Sequence, residues 1–210
     1  MISLLHPSRG RPLKADIAYQ RWAYSSTGAV EHILSLDKSD PELENYLGFK
    51  WQVVLINQNR SVVEATNVAA EKSAGEILVY LSDDFDCPKD WDKLIEAEFA
   101  NVKKPMLLKV DDCLQPFNVG VCTIPMMNRQ LYELLKYFWH PEYLSMHVDV
   151  DLYETCKRLG VIKYAPHLKF PHNHYSNGKA PRDETYTRSE NNWNQGLEVI
   201  SRRRAKGFPV

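Results

Sequence analysis

The sequence predicts an α/β protein built on a mostly parallel sheet flanked by helices. Three observations carry that prediction. Short apolar runs rich in β-branched and aromatic residues recur along the first half, each bounded by polar residues, as buried strands are. Segments of helical spacing separate several of these runs, which favours parallel strands joined by crossover helices. Each run also ends in polar or acidic residues, so the strand ends can face one crevice, where open α/β sheets bind their ligands.

Ile2 to Leu5 reads as the first strand. His6-Pro7-Ser8-Arg9-Gly10-Arg11-Pro12 follows as a loop, punctuated by its prolines and glycine. Leu13 to Ser26 has helical spacing, with Ile17, Ala18, Ala23 and Tyr24 as inward positions. Val30 to Leu36 is a second strand ending at Asp37, and Trp51 to Ile56 a third, which runs into the loop Asn57-Gln58-Asn59-Arg60-Ser61. Ser61 with Glu64 three places on is a capping-box pattern for a helix over Val62 to Ser73. Gly75 fits the stop of that helix. Ile77 to Leu81 is the fourth strand.

The second half is less regular. It predicts a helix over Trp91 to Phe99, strands over Met106 to Val110 and Val119 to Ile124, and a helix over Asn128 to Tyr137. Tyr137 to Tyr143 is an aromatic loop, suited either to core packing or to the apolar face of a sugar. A helix over Tyr153 to Leu159 stops at Gly160, and a strand over Val161 to Ala165 follows. The polar tail from Ser176 to Glu190 reads as a mobile loop, and Trp193 to Ala205 as the last helix.

Composition narrows the function classes. The 210 residues suffice for one core, and 44% hydrophobic with 25% charged residues is ordinary for a globular protein. A net charge of -1 offers no overall basic field for nucleic acid. The one basic cluster, Arg202-Arg203-Arg204 with Lys206, is either a solvated helix end or a phosphate contact. Cys87, Cys113, Cys122 and Cys156 form no CxxC pair, which argues for free thiols in a reducing compartment. With no long apolar segment and no signal-peptide pattern, a soluble cytoplasmic protein is expected. No GxGxxG follows the first strand and no GxxxxGK[ST] occurs, which argues against a dinucleotide fingerprint and a P-loop.

The fourth strand breaks off at Ser82-Asp83-Asp84-Phe85-Asp86. Three carboxylates in four positions repel one another. Just past a buried strand they form either a solvated acidic turn or a seat for a hard divalent cation, Mg²⁺ or Mn²⁺, that in turn holds a diphosphate. Asp149, near a helix start, is either a cap or a base. His172 and His174, at i and i+2, share one side of an extended strand and can serve a metal and a phosphate.

Taken together, these pieces resemble glycosyltransferase family 2 and its GT-A fold relatives. The resemblance rests on a polar loop after the first strand, an Asp-ended second strand, and Asn67, Ala69, Ala70 and Gly75 leading into EILVYLSDD. Downstream it rests on Asp149-Val150-Asp151-Leu152, the stop at Gly160 and a late histidine. It runs from Ile2 to about His174, and is strongest in Asn67 to Trp91 and Asp149 to Gly160. It implies a single GT-A-type, Rossmann-like domain with a small C-terminal acceptor-side region: a nucleotide-sugar half (1–110), an acceptor and catalytic half (111–175), and a mobile loop with the C-terminal helix (176–210).

The resemblance also implies roles. Pro7, Ser8, Arg9, Arg11, Asp37, Asn67 and Asp83 would bind the nucleotide sugar. Asp84, Asp86, His172 and His174 would serve Mn²⁺ or Mg²⁺, with Asp84 the direct ligand of the DxD region. Asp149 would be the general base, with Asp151 and Asp112 next in line. The chain departs from the family at Ser82, where many relatives have the first Asp, and at Val148, where they have Glu. The expected activity is inverting transfer from a nucleotide sugar, UDP favoured, to a glycan or to a hydroxymethylated base in phage DNA, in host cytoplasm if phage-encoded. The alternatives are a nucleotidyltransferase of similar fold and a non-catalytic nucleotide-sugar-binding module.

Overall fold

A computed structural model describes residues 1–58 and 60–210. The strands are β1 (Ile2–Ser8), β2 (Val30–Asp37), β3 (Val53–Asn57), β4 (Ile77–Tyr80), β5 (Leu107–Asp111), β6 (Met126–Asn128) and β7 (Ile162–Lys169). The helices are α1 (Pro12–Tyr24), α2 (Leu43–Leu47), α3 (Val62–Lys72), α4 (Trp91–Phe99), α5 (Arg129–Leu135), α6 (Val148–Leu159), α7 (Glu184–Glu190) and α8 (Trp193–Ala205). Among the described residues the strands form one sheet in the order β3-β2-β1-β4-β6-β5-β7. β1 to β4 are parallel, β6 runs antiparallel to both β4 and β5, and β7 is parallel to β5. The α/β sheet expected from the sequence is therefore observed. From β1 the chain moves outward to β2 and β3, then returns to the other side at β4, which puts a crevice at the carboxyl ends of β1 and β4.

Alternating side chains bury both faces of the sheet. Leu5, Leu78, Leu107 and Met127 pack with residues of α3, α5, α6 and α8. Leu4, Val79, Leu108 and Met126 pack on the opposite face with Trp22 of α1 and with Trp91, Ile95 and Phe99 of α4. This two-sided burial explains why these strands read as continuous apolar runs rather than as alternation.

Several elements differ from their expected bounds. β1 continues to Ser8, so His6-Pro7-Ser8 is strand rather than loop. Proline is tolerated there because the Leu5 carbonyl accepts from Leu81 N at 2.9 Å, and Pro7, two residues on, turns the same way beyond the end of β4. In α1 the buried face is Ala15, Asp16, Ala18 and Trp22, while Ile17 and Tyr24 are exposed. The tryptophan sets the inward face by sheer apolar area. Ser61 caps α3 as expected, accepting from Glu64 N at 3.1 Å. Glu64, however, reaches back to Arg60 N rather than to Ser61, so the box is only half closed. The loop there includes Asn59, which lies outside the described residues. Gly75 is not the helix stop, since Ser73 caps α3 in extended geometry. It is needed because a Cβ would lie 2.7 Å from Ser3 N.

No strand forms over Val119 to Ile124; the strand is Met126–Asn128. Cys122 N instead bonds to the Asp149 carbonyl at 3.4 Å, tying this segment to the start of α6. α6 itself begins at Val148, five residues before the expected start, with Asp149 and Asp151 in its first turn, where acidic groups suit the dipole. The tail read as a mobile loop contains α7, capped by Asp183, which accepts from Tyr186 N at 3.3 Å. The aromatic loop is core: Phe138, Trp139 and Tyr143 are buried.

The basic cluster is a solvated helix end in part: Arg202, Arg204 and Lys206 are exposed, while Arg203 is buried. Arg202 pairs with Glu142, and Arg204 with Glu154 at 2.5 Å. Arg203 Nε lies 2.5 Å from Asp151 Oδ2, and both residues are buried. Tyr143 OH donates to the same carboxylate at 2.9 Å. Arg203→Ala should therefore cost about 3–5 kcal/mol by leaving Asp151 buried without its counter-ion. Urea denaturation of the purified variant checks it; a loss below about 1 kcal/mol would mean the pair is not desolvated as it stands here.

Candidate active site

The crevice at the strand ends is a cleft of about 600 Å³, a size that suits a small-molecule ligand. Pro7, Ser8, Arg9 and Arg11 reach it from the end of β1, and Asp37 from the end of β2. Asp83 and Asp84 enter after β4, Asp149 from the first turn of α6, and His172 and His174 from beyond β7. Residues separated by more than 160 positions thus meet in one cavity because each follows a sheet strand or starts a helix.

The acidic turn is held in a specific geometry. The Asp83 side chain is buried, with both oxygens engaged: Oδ1 lies 2.9 Å from His6 Nε2, and Oδ2 accepts from Ser8 Oγ at 2.9 Å. His6 Nδ1 in turn lies 2.9 Å from His32 Nε2. Burial, with His6 beside it, pushes the His32 pKa well below the ordinary value, so His32 is neutral.

Asp84 Oδ2 accepts from Tyr186 OH at 2.8 Å and lies 3.3 Å from His172 Nε2. Burial alone would raise the pKa of this carboxyl. Bonds from His172, Ser82 and Tyr186 outweigh that and hold it below the usual carboxylate range. Its Oδ1 is buried with no hydrogen-bond partner, and so is His172 Nδ1. An orphaned carboxylate oxygen on a residue that lines a cleft is the donor a hard cation takes. Among the described residues no group of three or more His, Cys, Asp or Glu converges as a metal cage. The fit is therefore to a cation held by one or two protein groups, with phosphate and water completing the shell, as Mg²⁺ commonly is.

Two expected site residues are turned elsewhere. Asp86 pairs with Arg21 at 2.8 Å and takes Cys87 N at 3.1 Å, outside the cleft, so it is not placed as a metal ligand. Asn67 spends its amide on the backbone of the aromatic loop, donating to the Trp139 carbonyl at 2.7 Å and accepting from Phe138 N and Trp139 N. It does not line the cleft; it holds Trp139, which does. The reserve bases are also spoken for. Asp151 is locked to Arg203, and Asp112 accepts from Leu114 N and Gln115 N.

Asp149 is not a cap, since the cap position is His147 in the left-handed region. Its Oδ1 accepts from Val150 N at 2.9 Å. Burial raises its pKa, which moves a carboxylate toward the strength a general base needs near neutrality.

Sequence reading missed the wall opposite these residues. Tyr186 and Asp183 belong to the α7 segment. Asp183 takes Arg11 in a two-point pair, 3.0 Å from Nε and 2.6 Å from Nη2, and Lys14 at 2.7 Å. Burial pushes the Asp183 carboxyl up, but these cations outweigh it and bring it down to about 2. The Arg11 guanidinium also stacks 4.2 Å above the Tyr186 ring. The available signal was Asp183 immediately before Glu184, a helix N-terminus pattern inside a polar stretch.

The chain has the GT-A-type glycosyltransferase fold. The S. aureus TarS 1-349 structure in complex with UDP-GlcNAc matches with TM-score 0.61 and 14% identity, over 81% of this chain and 57% of that one. The mannosyltransferase PcManGT from Pyrobaculum calidifontis, in complex with GDP-Man and Mn²⁺, matches with TM-score 0.64 and 13% identity, over 81% and 56%. The chain thus spans somewhat under three fifths of the length of these two GT-A-type structures. No family model and no curated protein matches the sequence. Among the described residues, no helix is long and apolar enough to cross a membrane.

Proposed function

We propose that the protein is a metal-dependent glycosyltransferase that moves a sugar, with inversion, from a nucleotide sugar to an acceptor hydroxyl. A UDP-sugar is the favoured donor. The observation that carries this reading is one cleft holding both a buried carboxylate with an unpartnered oxygen, Asp84, and a carboxylate of raised pKa, Asp149. Two GT-A-type structures of similar fold support it, one holding UDP-GlcNAc and the other GDP-Man with Mn²⁺.

In this reading the acceptor oxygen bonds to the anomeric carbon while the bond from that carbon to the diphosphate breaks. Asp149 takes the proton of the attacking hydroxyl. Asp84, with His172 beside it, would hold Mn²⁺ or Mg²⁺, which when bound offsets the charge growing on the leaving diphosphate. His174 Nδ1 accepts from Ser176 N at 3.2 Å, which leaves the ring proton on Nε2 as a donor for phosphate. Arg9 is anchored on Asp37 and Ser39, so the ends of β1 and β2 present one polar surface to the base and ribose. In this reading the 1–110 segment is the donor half, and the segments after it supply the base, the two histidines and the acceptor side. A glycan hydroxyl is favoured over a hydroxymethylated DNA base, because Arg202 to Arg204 are held in ion pairs.

The test incubates the purified protein with Mn²⁺ and a panel of nucleotide sugars and measures released nucleoside diphosphate. Slow hydrolysis of one donor is expected. Pyrophosphate exchange would assign nucleotidyl transfer instead, and silence with every donor a binding module.

A further inference from the structure

Beside the donor cleft lies a second groove, of about 520 Å³. Its walls are aromatic, with Tyr175, Tyr186 and Trp193 around His174 and Glu190. Met146, His174, Tyr186 and Ser189 line both cavities, so the two share a wall. Trp193 is 49% exposed, whereas Trp22, Trp91 and Trp139 are buried. Its ring packs against that of His147, with centroids 4.4 Å apart. Gly196, one turn on, permits this approach, because a Cβ there would overlap the Met146 carbonyl. His147 is the residue from which α6 starts, two before Asp149.

We propose that this groove is the acceptor subsite and that its occupant is a pyranose ring of a glycan. The proposal rests on the glycosyltransferase reading and adds the acceptor class. A pyranose has an apolar face of C–H groups and a rim of hydroxyls. Aromatic bodies with polar tips match that pattern, and a few convergent polar groups in an apolar groove supply orientation. Glu190, which accepts from Tyr175 OH and pairs with Arg182, is placed to take a hydroxyl. A ring seated on Trp193 lies against the helix start that carries Asp149, which is where the attacking hydroxyl must be. Nucleic acid would need free cations for its phosphates. Arg182 is paired with Glu190, and the arginines of α8 are paired as well.

The probes are methyl pyranosides of gluco, galacto, manno and N-acetylgluco configuration, titrated while the Trp193 indole N–H resonance is followed by NMR. Trp193→Phe assigns that resonance. At least one pyranoside should shift it saturably. Trp193→Ala should raise the acceptor KM about tenfold or more, the loss of one aromatic contact, without raising the donor KM. Trp193→Tyr should recover most of that loss. Donor hydrolysis without acceptor reports on the glycosyltransferase reading separately. If a donor is hydrolysed but no pyranoside moves Trp193, the subsite assignment is wrong. A short single-stranded oligonucleotide that moves Trp193 when no sugar does would overturn it in favour of a nucleobase. An acceptor KM unchanged in Trp193→Ala would also overturn it.

Discussion

Asp84→Asn should lower sugar transfer by roughly a hundred- to a thousandfold, the scale seen when one electrostatic stabiliser of a transition state is removed. The substitution keeps the volume and can still accept from Tyr186 OH, so the fold should survive. What it loses is the negative charge beside the unpartnered Oδ1. Mn²⁺ binding, followed by the EPR signal of the free ion, should weaken in parallel with activity, while the thermal midpoint shifts by only a few degrees. Full activity in Asp84→Asn would remove the cation from the mechanism. A collapse of the fold would be separated from a metal effect by Tyr186→Phe, which removes a bond to Asp84 and leaves its charge.

The strands were legible where burial on both sides forces an unbroken apolar run, as at Ile77–Tyr80 and Val30–Leu36. Helices were legible where period and stop signals agree; α4 and α8 have the bounds their residues predict. Failures came where a long-range partner decides the conformation. β1 runs through Pro7 only because β4 has ended beside it, and no local signal carries that. The segment Val119 to Ile124 has strand-like composition but is held by the Asp149 carbonyl, 27 residues on from Cys122. α7 was hidden because its helical face is set by Arg11 and Asp84, which a polar heptapeptide does not advertise.

At the site, the residues at or just past the ends of sheet strands were the readable ones, because strand ends converge in any open α/β sheet. Ser8, Arg9, Asp37, Asp83 and Asp84 all reach the cleft on that ground. Asp86 is only two positions further, yet a turn that bonds Asp86 N to the Pro171 carbonyl carries it out of the cavity toward Arg21. Asn67 shows the converse. A polar residue can sit near a site and act through the loop it holds, and only the three bonds to residues 138 and 139 reveal that role. Spacing cannot distinguish a carboxylate whose oxygens are engaged, such as Asp83, from one with an oxygen to spare, such as Asp84.

Asp149→Asn should separate chemistry from folding more sharply than any other substitution in the cleft. Removing a general base costs typically a hundred- to ten-thousandfold in rate, and in the proposed reading donor binding should be spared, because there Asp149 serves the acceptor. The stability change should have the opposite sign. Burial raises the folded-state pKa of Asp149 above its unfolded value. A group shifted that way contributes stability that is complete below the unfolded pKa and is lost as pH rises through the folded one. At neutral pH the ionised Asp149 therefore opposes folding, and the neutral amide relieves that cost. Urea denaturation at pH 7 should find Asp149→Asn at least as stable as the parent, with the advantage vanishing in acid. The parent's transfer rate should rise with pH along a limb lying above the ordinary carboxylate range, and residual activity in the variant should lack that limb. Parent-like transfer in Asp149→Asn would mean that the proton leaves by another route. With Asp151 bound to Arg203 and Asp112 bound to its own turn, that route would have to run through the substrate or solvent.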